Sequence, residues 1–177
     1  MLSSQKILEL FDQLNHELSK RHEIGEIGLV GGAVMCLVFK ARESTRDVDA
    51  IFQPAELVRK LAAQIGEDQN LPPDWLNDAA KGYIQENFQR NDVLNLSNLR
   101  VWAPEAKYML AMKCISARWD TSDREDVIFL IQHLKLKDSK SVFKIIEHFY
   151  PKKQIPAKTL FFIEEVMENL QKASTQN

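Results

Sequence analysis

Apolar side chains at Ile7, Leu10, Phe11, Leu14 and Leu18 recur every three or four positions, with polar residues between them. That period predicts an amphipathic helix over residues 4–20. The pattern then changes. Residues 27–30, IGLV, are a continuous apolar run that ends in Gly31 and Gly32, which predicts a short buried strand followed by a packed helix from residue 33. Residues 47–52, DVDAIF, begin with charged and apolar side chains in alternation. This predicts a strand with one wet face and one buried face. Pro54 stops it, and helical spacing resumes over 55–66.

Asp74 is a candidate N-cap for a helix over 75–86, because its carboxylate can accept a free backbone N–H. Residues 93–102 can hold one or two strands. Pro104 suits the first position of a helix over 104–118, where its missing N–H costs nothing. Helical spacing returns near 123–136, 139–149 and 157–172. Together these elements predict an α+β fold, a small mixed sheet flanked by helices. Residues 1–103 form its core, and a helical region over 104–177 packs on that core as one compact unit.

Composition narrows the function. Hydrophobic residues make up 45% of the 177 and charged residues 27%, with a net charge of −2. This is the make-up of a globular domain without an overall basic field for nucleic acid. Cys36 and Cys114 lie far apart in apolar stretches and read as buried thiols in a cytoplasmic protein. His16, His22, His133 and His148 are scattered, and HEIGE at 22–26 lacks the second histidine of a zinc protease motif. The first residues carry Lys6 and Glu9 and do not read as a signal peptide. No segment approaches membrane-spanning length, and the KASTQN stretch reads as a frayed tail.

The chemistry lies between residues 30 and 52. Residues two apart on a strand share a side, so Asp47 and Asp49 are expected to aim both carboxylates at one place. Two such charges repel unless a cation sits between them. Magnesium suits the role, since it takes one or two carboxylates plus phosphate oxygens. Gly31 and Gly32, having no side chains, let a phosphate approach the backbone. Arg42, Thr45 and Arg46 lie in the loop ahead of the acids, where they can bind phosphate or form a plain polar loop.

LVGGAV and STRDVDAIF, with fourteen residues between Gly32 and Asp47, resemble the glycine-pair and Asp-x-Asp motifs of the DNA polymerase beta-type nucleotidyltransferase superfamily. The similarity is to its minimal bacterial members of the abortive-infection toxin type. Residues 103–130, APEAKYMLAMKCISARWDTSDREDVIFL, resemble the helical signature of that branch. Its lysine would be Lys113, its arginine Arg118 and its acids Asp123 and Asp126. The resemblance implies that Asp47 and Asp49 hold Mg2+ or Mn2+. Gly31, Gly32, Thr45, Arg46, Lys113 and Arg118 would bind a nucleoside triphosphate. Lys113, Asp123 and Asp126 would join Asp47 and Asp49 in catalysis. The acceptor hydroxyl could belong to a tRNA end, a protein side chain, an antibiotic or another small molecule. No membrane is implied, and a protein partner of toxin–antitoxin type is.

Many superfamily members carry a third carboxylate on a later strand. Here LRVWAP at 99–104 offers Arg100 and no acid. Either Asp123 or Asp126 substitutes, or the site has two carboxylates and the chain is a degenerate, binding-only relative. Plainer readings stand beside these roles. Lys113 can be a snorkelling helix lysine, Arg118 can pair with Asp120, and Asp123 and Asp126 suit the first turn of a helix. Trp75 and Trp102 read as core or the rim of a pocket, and 151–158 as a solubilising basic loop. A dinucleotide-binding unit fits worse, because GLVGGA departs from its glycine fingerprint and the aspartates would go unexplained.

Overall fold

The computed structural model describes residues 1–85, 87–116 and 122–175. The chain forms two compact units, Met1–Ile84 with Gln89–Pro104, and Gln85–Phe88 with Glu105–Asn177.

In the first unit a short strand, β1 (Leu2–Ser3), leads into α1 (Ser4–Ser19). Ser3 caps that helix, its hydroxyl accepting from the Lys6 N–H at 3.2 Å. All five residues of the predicted apolar stripe, from Ile7 to Leu18, are fully buried. Then come β2 (Gly25–Leu29), α2 (Gly31–Leu37), β3 (Ser44–Thr45), β4 (Val48–Gln53) and α3 (Ala55–Asp68). β5 (Leu76–Asn77), β6 (Arg90–Asn95) and β7 (Leu99–Pro104) complete the unit.

The main sheet has the order β5-β4-β2-β7-β6. β2 runs antiparallel to β4 and parallel to β7. The edges are β5, parallel to β4, and β6, antiparallel to β7. β1 and β3 pair separately, Leu2 opposite Thr45. On β4, Val48, Ala50 and Phe52 are buried while Asp49 and Ile51 are half-exposed, the alternation expected of a strand with one packed face. The α+β class therefore holds.

Two local expectations fail. Asp74 does not cap a helix over 75–86. Trp75 is buried, its indole N–H donating to the Ala62 carbonyl at 2.8 Å, and its own carbonyl accepts from Val48 N–H at 2.7 Å. Burying that ring draws the following residues into β5, and only a 3-10 turn at Ala79–Tyr83 follows. Pro104 does not open a helix either. It is the buried last residue of β7, opposite Arg90, and the helix begins at Ala106.

The second unit consists of α4 (Ala106–Ser116), α5 (Asp123–His133), α6 (Ser139–Phe149) and α7 (Ala157–Thr175), together with Gln85–Phe88. Every residue of α4 from Tyr108 to Ile115 is buried, as in a helix packed on all sides. Its neighbours are α5, α6 and α7. Tyr108 packs against Phe88, Phe149 and Tyr150, and its hydroxyl accepts from Gln85 N–H at 2.7 Å. Cys114 is buried in α4, its carbonyl taken by the Thr159 hydroxyl. Among the described residues no helix is long and apolar enough to cross a membrane.

Candidate functional site

The turn from β2 into α2 carries the two glycines. Gly31 has a φ of +62°, a left-handed conformation that a side chain disfavours. Space demands glycine as well. A Cβ at residue 31 would stand 2.8 Å from the Asp49 Oδ2, and one at residue 32 would stand 2.5 Å from the Thr45 Oγ1 and 3.4 Å from the Arg42 Nη1. The backbone here is fixed from β4, since Val30 N–H donates to the Asp49 carbonyl at 2.9 Å. Thr45 is held from the other side by the β1–β3 pairing. Gly31, Gly32, Arg42, Thr45 and Asp49 thus form one cluster of bare backbone, a carboxylate, a hydroxyl and a guanidinium. An open cavity of about 480 Å³, lined by Ser3, Ser4, Cys36, Lys40, Arg42 and Glu43 among others, adjoins it through Arg42.

Asp47 is half-exposed on the bend that leads into β4, and Arg46 beside it is exposed. Among the described residues no three His, Cys, Asp or Glu side chains gather as a metal cage. A magnesium ion still fits the donor set, because it keeps several waters and takes phosphate oxygens, needing only one or two protein carboxylates. Asp49 meets that need, packed flush against a glycine.

Lys113, Asp123 and Asp126 come together within the second unit. The ammonium of Lys113 on α4 lies 2.6 Å from the Asp123 Oδ1 and 2.7 Å from the Asp126 Oδ2, both on α5. The lysine and Asp126 side chains are 8% and 4% exposed, against 22% for Asp123. Burial of a charge in α4 is thus offset by two carboxylates rather than relieved by snorkelling to water. The acids also occupy the first turn of α5, where negative charge favours the helix dipole. Arg118 lies outside the described residues, as does its suggested partner Asp120.

Residue patterning alone does not reveal a third arrangement. The Trp102 ring on β7 lies over Gly28 of β2, so close that a Cβ at residue 28 would overlap it. Its N–H donates to the Glu26 Oε1 at 2.7 Å, and the Arg90 guanidinium stacks 4.2 Å from the ring centroid. Gly28 inside a strand is the one signal of it, since such a glycine marks a close approach.

A family model described as a nucleotidyltransferase of unknown function (DUF6036) matches residues 5–155. The chain belongs to this family. No curated protein and no solved structure matches it. The matched residues include the glycine pair and Asp49 of the first unit and the Lys113 cluster of the second.

Proposed function

We propose that the chain moves a nucleoside monophosphate from a nucleoside triphosphate to an acceptor hydroxyl. The hydroxyl oxygen joins the α phosphorus as the bond to pyrophosphate breaks. The observation that carries this reading is the packing of Asp49 against Gly31, with Thr45 and Arg42 against Gly32. Bare backbone, a hydroxyl and a guanidinium suit phosphate oxygens, while the carboxylate suits a divalent ion. Asp49 and Asp47 would hold Mg2+ or Mn2+, which when bound supplies positive charge to polarise the α phosphate. Arg42 and Lys40, which line the adjoining cavity, would receive the β and γ phosphates, with Arg46 at the rim. In the toxin-type form of this reading Lys113 and either Asp123 or Asp126 also serve the reaction. Asp123 is the more exposed of the two acids, so it is the one assigned. The acceptor would be a tRNA end, a protein side chain or a small molecule.

A binding-only relative, paired with a protein partner as in toxin–antitoxin systems, is the second reading. It is favoured by β7, which offers Leu99–Pro104 without a carboxylate. Incubating the protein with labelled triphosphates, magnesium and a cell extract separates the two. Transfer of label with pyrophosphate release, lost in Asp49→Asn, supports the enzyme. Nucleotide binding without pyrophosphate release overturns it in favour of the binding-only relative.

A further inference from the structure

The face of the sheet that carries Asp49 also carries a built platform of a different kind. Gly28 stands opposite Ile51 on one side and Trp102 on the other. Asp49 is two residues from Ile51, so it shares that face. Strands about 4.8 Å apart and a rise of about 3.4 Å per residue put the Trp102 and Asp49 backbones roughly 12 Å apart. The indole leans from β7 across Gly28 toward β4, which brings it closer still. The glycine lets the ring lie flat on the sheet, and Glu26 fixes its rotation through the indole N–H at 2.7 Å.

On this ring sits Arg90 of β6, with Glu26 3.4 Å from its guanidinium. Trp102 is 6% exposed, but the Arg90 side chain is 53% exposed. The indole therefore offers no open surface, whereas the guanidinium is a planar cation pinned from beneath and from one edge. Such a plane is a stacking surface for a nucleobase.

We propose that Arg90, seated on Trp102, is the stacking platform for the base of the bound nucleoside triphosphate. The inference rests on the proposed nucleotide site and adds to it the element that grips the nucleoside end. The glycines, Thr45 and Arg42 hold the phosphates beside the ion on Asp49, and a nucleoside extending across β2 brings its base over Arg90. Lysine at this position keeps the charge and loses the plane.

The test is calorimetric titration of wild-type protein and Arg90→Lys with inorganic tripolyphosphate and with each of the four ribonucleoside triphosphates, all with magnesium. In the wild type the best nucleotide should bind about tenfold more tightly than tripolyphosphate, the margin expected of one stacked base. Arg90→Lys should erase that margin and leave tripolyphosphate affinity unchanged. A nucleotide margin that survives the substitution, or no margin in the wild type, overturns the platform while the phosphate site stands. If the wild type binds neither ligand, the nucleotide site itself falls, and the platform with it.

Discussion

Asp49 leaves no room for a side chain at residue 31: the missing Cβ of Gly31 would stand 2.8 Å from its carboxylate oxygen. Gly31→Ala should therefore act twice. A left-handed backbone costs an alanine about 1–2 kcal/mol, and the new methyl displaces Asp49. Urea unfolding should show the stability loss, and magnesium–triphosphate affinity should fall with it. Gly82 has open space around it, so Gly82→Ala is the matched control and should change neither. Wild-type affinity in Gly31→Ala would mean that Asp49 does not hold the ligand.

Asp47→Asn and Asp49→Asn should keep the fold, since each removes one charge at a half-exposed position. Both should weaken magnesium–triphosphate binding by at least about tenfold, because even indirect partners of a metal are worth that much. Calorimetry measures it. Intact binding in both variants would remove the metal assignment.

Lys113 is expected to matter to folding first. Lys113→Met leaves the buried Asp126 carboxylate without its ammonium, a loss of about 3–5 kcal/mol for a pair so deeply buried. Adding Asp126→Asn should recover part of it in a double-mutant cycle. Asp123→Asn, at the more exposed end of the cluster, should cost less stability. Its turnover tests the toxin-type role directly, since a group that acts on the reaction lowers turnover by orders of magnitude. Unchanged turnover leaves Asp123 a purely structural acid.

Alkaline pH probes the second unit. Burial holds the phenols of Tyr108 and Tyr150 above their ordinary value near 10, and a hydrogen bond with Tyr108 raises Tyr150 further. Below about pH 10 both states keep these protons. Above it the unfolded chain ionises first, so stability should be flat up to that point and fall beyond it. Urea midpoints between pH 8 and 11 measure the fall, and Tyr150→Phe should make it shallower. An identical slope in that variant would rule the phenol out as its source.

Much of this architecture is legible in the chain because its physics is local. α1 buries one face, so its apolar residues keep a helical period, and β4 alternates because only one of its faces is packed. The glycine pair and Asp49 can be read together because fewer than twenty residues separate them. The failures share a different cause. Asp74 obeys the local rule for a cap, but burial of Trp75 from a neighbouring element overrides it. Pro104 obeys the rule for a helix start, yet pairing with Arg90 keeps it in a strand. The Glu26–Trp102–Arg90 stack joins three strands whose residues are scattered from 26 to 102, and no spacing rule links them. The Lys113 cluster lies between these cases. Its members stand out as motif residues, but their mutual contact depends on how α4 packs on α5.

The pairing of β1 with β3 makes residues 2 and 3 a lever on the loop that carries Thr45. Leu2 and Ser3 hold Thr45 and Ser44 in register, and the Ser3 hydroxyl also starts α1. Removing residues 1–3 would loosen a helix and slacken the loop that carries Thr45 in a single cut.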